Sequence, residues 1–178
     1  MGLEGKRVAI LIEDDYNLHE FWYPYYRFKE AGAEVSVVGP SKGAGYTSHG
    51  YTVKPDLDAA DARVDDFDAV IVPGGYAPDK MRRSKELVAF VHDMDAASKP
   101  VAAICHAGWM LVSAKVLKGR RATSYYSIRD DVEAAGAEWI DAPVVIDRNL
   151  VTSRVPGDLP DFCKAVIEQL SKAPATVA

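Results

Sequence analysis

Apolar positions in this chain arrive in short unbroken runs, separated by longer amphipathic stretches. Arg7 to Ile12 (R-V-A-I-L-I), Glu34 to Gly39 (E-V-S-V-V-G), Asp68 to Val72 (D-A-V-I-V) and the segment opening at Pro100 (P-V-A-A-I) are such runs. A run without polar alternation predicts a strand buried on both faces, as in a parallel sheet covered by helices. Between the first two lies the aromatic-rich stretch Glu20 to Ala31, ending at Gly32, a good helix stop. Pro24 must sit early in that helix or kink it. Ser84 to Ser98 places Leu87, Phe90, Val91 and Met94 on one helical stripe and leaves His92 off it, facing solvent. The opening strand–helix–strand order predicts a right-handed crossover.

The rest of the pattern is weaker. Ser41 to Gly50 carries three glycines and reads as a loop, followed by a short strand at Tyr51 to Lys54. The aspartate-rich stretch Asp56 to Asp68 reads as a solvated linking surface without function. Arg121 to Ser124 suits a further strand, and Ser127 to Ala135 a helix stopped by Gly136. Glu138 to Arg154 reads as a hairpin turning at Asp147-Arg148-Asn149. Asp158 to Leu170 is a closing helix with Pro160 in its first turn and Cys163 in the core. Residues Ala173 to Ala178 are expected to fray. Alternating strands and helices give an α/β fold: a doubly wound sandwich with a mostly parallel central sheet and helices on both faces. Ligands in such folds bind at the carboxyl ends of the strands.

Bulk properties narrow the picture. The 178 residues, 48% of them hydrophobic, suit a single domain over 1–178. A net charge of −5 without a basic patch argues against nucleic acid as a partner. No apolar run is long enough to span a bilayer, so no membrane partner is expected. The two cysteines, Cys105 and Cys163, are too far apart in sequence and context to suggest a disulfide framework or a metal motif. A reducing, cytoplasmic setting fits, with no metal or other cofactor.

The candidate chemistry centres on Pro100 to Ala114 (P-V-A-A-I-C-H-A-G-W-M-L-V-S-A). A buried strand turns directly into a helix, with small residues after the turn. This is the pattern of a nucleophile elbow with Cys105 in the place of serine. A thiol at a helix N-terminus beside His106 is expected to ionise more easily than a free one. Read alone, Cys105 is as well explained as a small buried hydrophobe. His106 follows directly, so its side chain is expected to point away from that of Cys105 unless the ring folds back. Glu20 stands where a carboxyl group can meet the thiol, yet Asn17-x-x-Glu20 also resembles a helix capping box. Gly74-Gly75 at a strand end lets backbone N–H groups approach a ligand, and with the His106 N–H forms an oxyanion hole; a plain turn is the alternative. Asp79 is a candidate to orient His106, or a turn residue beside Pro78.

These residues, taken in order, resemble the ThiJ/PfpI family, the intracellular protease I group of the class I glutamine amidotransferase-like superfamily. The resemblance is carried by Glu20 ahead of Tyr23-Pro24-Tyr25, Val72-Pro73-Gly74-Gly75, Ala103-Ile104-Cys105-His106, Thr123-Ser124-Tyr125, Asp130-Asp131 and Ser153-Arg154-Val155-Pro156-x-Asp158-Leu159. It spans about Arg7 to Leu170. It implies a flavodoxin-like sandwich, a nucleophilic Cys105 hydrogen-bonded by Glu20, and an oxyanion hole made by the Gly75 and His106 N–H groups. It implies a pocket formed by Gly74, Tyr125, Trp109 and Arg154. It also implies a homo-oligomer, dimer or hexamer, in which an acid from a neighbouring subunit completes a Cys-His-acid triad. Asp79 holds that position here, where those members carry glutamate. Ala107-Gly108-Trp109 replaces the Gly-Pro that often follows the histidine, and Asn17 replaces an acidic residue common just before the helix.

The function implied is cysteine-dependent, stress-protective chemistry on small carbonyl compounds or their adducts, glyoxalase-like or deglycase-like, or on peptides. Two alternatives remain: a redox-sensing, chaperone-like protein with an oxidisable Cys105 and no turnover, and an isocyanide hydratase-like enzyme, against which His106 argues.

Overall fold

The computed structural model describes residues 2–172. The chain runs β1 (Arg7–Leu11), α1 (Leu18–Glu30), β2 (Glu34–Gly39), β3 (Tyr46–Ser48), β4 (Tyr51–Val53), β5 (Leu57–Asp58), β6 (Ala69–Val72), α2 (Ala77–Met81) and α3 (Lys85–Ala96). It continues with β7 (Val101–Ile104), α4 (Gly108–Ser113), β8 (Arg121–Ala122), α5 (Arg129–Ala134), β9 (Glu138–Trp139), β10 (Val144–Asp147), β11 (Leu150–Ser153) and α6 (Leu159–Lys172). Seven strands form the main sheet in the order β10-β11-β7-β6-β1-β2-β5, parallel except for β10, which pairs antiparallel with β11. This is the flavodoxin-like doubly wound sandwich. The expected fraying of 173–178 lies outside the described residues.

The unbroken apolar runs are the central strands. Every residue of β6 and β7 is buried, and Val8 to Leu11 of β1 are fully so. Crossovers on both sides of this core cover it: α1 packs on α6, and α3 packs on α4. Leu87, Phe90, Val91 and Met94 line the buried face of α3, while His92 is exposed, its Nδ1 2.9 Å from the Ala114 carbonyl oxygen. The hairpin turns at Asp147 to Leu150 as its residues suggest.

Three stretches depart from the pattern. The glycine-rich stretch is not all loop: β3 pairs antiparallel with β4, and Tyr46 and Ser48 turn inward. Arg121 to Ser124 shortens to the two residues of β8, because Thr123 N–H donates instead to Thr152 Oγ1. The aspartate-rich stretch is more than a solvated surface. Asp68 Oδ2 accepts the Arg7 N–H and Asp56 Oδ2 accepts the Val37 N–H, both at 2.8 Å, and Asp58 lies in β5 at the sheet edge. Aspartate is frequent there because its short side chain satisfies backbone donors at strand ends.

Candidate active site

Three chain segments meet at the carboxyl edge of the sheet. α1 follows β1, Pro73-Gly74-Gly75 follows β6, and Cys105 follows β7. β1 and β6 are neighbours, and successive strands run outward from them in opposite directions, so the edge here is the crevice where this class of fold binds ligands.

Cys105 makes the turn itself. Ile104 is extended, Cys105 has φ 63°, and helical backbone begins within three residues. A left-handed non-glycine residue costs about 1–3 kcal/mol and persists only where its surroundings enforce it. The residue is 7% exposed. The backbone N–H groups of His106 and Gly75 both bond toward its sulfur. Gly75 reaches it because it lacks a side chain: at φ 75°, an added Cβ would lie 2.5 Å from both Asn17 N and Asp15 O. Asn17 N–H donates to Gly74 O at 3.1 Å, tying the double glycine to the start of α1.

The His106 ring folds back. Its Nδ1 lies 3.3 Å from Cys105 Sγ, because the left-handed residue and the single 3-10 turn at Cys105–Ala107 reverse the direction of the following side chain. The ring stacks on Tyr125 at 4.9 Å between centroids and also meets Trp109 at 5.1 Å and Tyr76 at 5.9 Å. Its Nε2 lies 3.3 Å from Ser127 Oγ.

Both readings of Asn17-x-x-Glu20 hold in part. Asn17 caps α1, its side chain accepting from His19 N and Glu20 N. Glu20 does not complete the box. Its carboxyl is fully buried and turned into the site, where Oε2 accepts the Gly74 N–H at 2.8 Å and the carboxyl hydrogen-bonds with the Cys105 thiol.

Burial pushes Glu20 up to about 7, against the lowering effect of the Gly74 bond. Burial, then the Glu20 charge, push Cys105 up to about 12; the two backbone N–H groups lower it by less. The elbow thiol is therefore not more acidic than a free one while Glu20 is ionised, and the expectation from helix and histidine alone is corrected. Helix and amide dipoles act on a sulfur that has also lost water and gained an anionic neighbour. Burial also lowers His106, favouring the neutral ring.

The other candidates divide. Gly74 packs against the site: a Cβ there would lie 2.5 Å from Glu20 Oε2 and 2.8 Å from Cys105 Cβ. Tyr125 N–H donates to Cys105 O at 3.2 Å, so its ring is fixed beside His106. Trp109 joins the ring cluster and donates Nε1–H to Asp131 Oδ2 at 2.8 Å. Beyond it opens a cleft of about 490 Å³ that Arg82, Val112 and Leu117 also line. Arg154 follows Ser153, which is in register with Ile104, but its guanidinium is held by Asp158 and Asp141. Asp79 is exposed on α2, and no hydrogen bond or ion pair joins it to His106 within the described residues. Cys163 is buried in α6. No group of three or more His, Cys, Asp or Glu among the described residues could hold a metal ion, and no helix among them is long and apolar enough to cross a membrane.

Sequence reasoning missed Ser127 and Tyr76. Ser127 read as the start of a helix, but it lies in the 3-10 turn Tyr126–Ile128 before α5. Tyr76 follows the double glycine, where exposed residues carry no periodic signal.

A cysteine on a strand-to-helix turn, with a buried carboxyl and two amides at its sulfur, defines a class of α/β sandwich proteins. The sequence matches the DJ-1/PfpI family over residues 6–169, and the chain belongs to that family. It is 44% identical over 164 residues to "Deglycase PfpI" of Pyrococcus furiosus, covering 92% of this chain and 99% of that protein. It is 40% identical over 171 residues to "Protein/nucleic acid deglycase 2" of Escherichia coli, covering 93% and 98%. Among solved structures, a two-domain protein from Anabaena variabilis with DJ-1/ThiJ/PfpI-like and ferritin-like domains superposes with a TM-score of 0.90 at 40% identity. That match covers 93% of this chain and 48% of the other.

Proposed function

We propose that this protein is a cofactor-independent deglycase that uses Cys105 to release amines from their adducts with 2-oxoaldehydes. The observation that carries this reading is the sulfur's surroundings: one neutral imidazole nitrogen, two amide N–H groups and one carboxyl whose proton is poised near neutrality. The names of the relatives above support the choice of substrate.

In the adduct, the former aldehyde carbon carries a hydroxyl and the amine. Cys105 gives its proton to His106 Nδ1, the sulfur bonds to that carbon, and the C–N bond breaks. The amine leaves with the proton from His106. A proton then moves from the sulfur-bearing carbon to the adjacent carbonyl carbon through an enediol, leaving a thioester. Water cleaves the thioester, restoring the thiol. The Gly75 and His106 N–H groups hold the negative oxygen formed in that step. Overall, adduct and water give amine and 2-hydroxy acid, with no external oxidant or reductant.

The test is release of N-acetyl-lysine from its methylglyoxal adduct by the purified protein. Cys105→Ser is expected to lose at least a hundredfold in rate. Unchanged release by that variant would overturn the reading, and cleavage of peptides without release from the adduct would favour a peptidase.

The resemblance that implies the chemistry also implies assembly, and we propose a homo-oligomer, dimer or hexamer. A light-scattering mass equal to one chain would contradict it.

A further inference from the structure

The net charge of −5 hides a local excess of the opposite sign. The cleft beyond Trp109 is lined by Arg82, Lys115 and Lys118, and by one acid, Asp131. Arg82 caps the end of α2, and the two lysines follow α4, so folding assembles a basic patch from separate parts of the chain. Asp131 is committed elsewhere, its Oδ2 accepting the Trp109 Nε1–H. No ion pair among the described residues involves Arg82, Lys115 or Lys118. By contrast, Arg120, Arg129, Arg148 and Arg154 each meet a carboxylate. A second cleft adjoins the first across Arg82 and Lys115. It adds Lys85 and His92 to the lining, and no acid.

Two details set these cations apart from ordinary surface charges. Arg82 donates its Nε–H to Ser113 Oγ at 2.9 Å, which anchors the guanidinium and leaves both outer nitrogens without a protein partner among the described residues. Those two nitrogens form the fork with which arginine takes two oxygens of one phosphate. Lys115 stands just past the C-cap of α4, with φ 62°. Glycine holds the same position after α1 and α5, at Gly32 and Gly136, because left-handed backbone strains a residue that carries a Cβ. A lysine there adds an ammonium to the lining that glycine would not.

We propose that this cleft is a phosphate-binding subsite of the candidate active site, and that the amines released there carry a phosphate monoester. Setting Asp131 against the three cations leaves two positive charges. That matches a monoester dianion, whose second pKa is about 6; a carboxylate carries half the charge. Trp109 joins the cleft to the chemistry. It lines the cleft, and its ring lies 5.1 Å from that of His106, whose Nδ1 is 3.3 Å from Cys105 Sγ. A ligand anchored by its phosphate at Arg82 can extend past Trp109 toward the sulfur. The identity of the released amine rests on the deglycase reading; the phosphate site does not.

Calorimetric titration with inorganic pyrophosphate at pH 8 and low salt tests the site without any adduct. Binding is expected to saturate, and to weaken about tenfold in Lys115→Gly and in Lys118→Gln. Lys118→Arg, which keeps the charge, is expected to retain it. Lys115→Gly suits the left-handed backbone, so its loss of affinity reports the missing charge and not misfolding. For the methylglyoxal adducts, kcat/KM for O-phosphoethanolamine is expected to exceed that for ethanolamine by about tenfold, through KM, and both variants to erase the advantage. Guanosine monophosphate against guanosine puts the same question to a nucleotide. An advantage in either pair supports the proposal and names the source of the phosphate. Absence of pyrophosphate binding, or binding that both variants keep, would overturn the subsite. So would variants that alter the light-scattering mass and leave the affinity unchanged, which would assign the cations to contact with a second copy. Equal kcat/KM within both pairs would overturn the claim on the amine. Failure of the wild type to release any amine, with pyrophosphate binding and its loss in the variants intact, would count against the deglycase reading alone.

Discussion

Glu20 Oε2 accepts the Gly74 N–H at 2.8 Å, and this bond holds a fully buried carboxyl against the Cys105 thiol. The two acids are electrostatically linked, so their protons leave as a pair. Burial raises both, Glu20 to about 7 and Cys105 to about 12. Between those values the pair holds one proton, and a form with thiolate and carboxylic acid exists at constant proton number.

The amine-release rate is therefore expected to rise with pH through about 7 and then level off, since the singly protonated pair forms there and His106 is already neutral. Glu20→Gln removes the acidic member, so the rise moves upward toward the titration of a buried thiol. A pH–rate profile of both proteins checks this. An unmoved midpoint in the variant would assign the inflection to another group.

The same carboxyl acts on stability with a definite sign. Its folded value lies above its ordinary value of 4.5, so the unfolded chain ionises first. Its favourable contribution is complete below about 4.5 and is lost as pH rises through about 7. Glu20→Gln, which can still accept from Gly74, is expected to gain on the order of 3 kcal/mol at pH 8 and nothing at pH 4. Urea unfolding at the two pH values measures the difference, and equal gains at both would contradict it.

Cys105 has a glycine-like backbone, φ 63°. Cys105→Gly is accordingly expected to be more stable than Cys105→Ala by about 1 kcal/mol, the reverse of the usual order in regular structure. Both variants remove the proposed nucleophile and are expected to lose amine release. Thermal unfolding of the pair decides this. An alanine variant as stable as the glycine one would show that the turn carries no strain.

Gly74 leaves no room for a methyl group. A Cβ there lies 2.5 Å from Glu20 Oε2, 2.8 Å from Cys105 Cβ and 2.9 Å from Ile104 O. Gly74→Ala is expected to displace the Glu20 carboxyl, lower stability by about 1–3 kcal/mol and abolish the inflection near pH 7. A variant that keeps its pH profile would show that Glu20 is not held by this contact.

Hydrophobic spacing alone determined the central strands, the stripe on α3 and the elbow at Cys105, because these depend on burial of local runs and on the small residues that a tight turn requires. Sequence order could also place Glu20, Gly75 and Cys105 near one sheet edge, since consecutive strand ends share it. Tertiary structure decided which partner each side chain took. Glu20 left the helix cap for Gly74, the His106 ring turned back onto the sulfur, and Ser127 of the same chain came within 3.3 Å of its outer nitrogen. It also decided that the thiol would be held above its ordinary acidity range, because desolvation and a neighbouring charge depend on what folds around an atom.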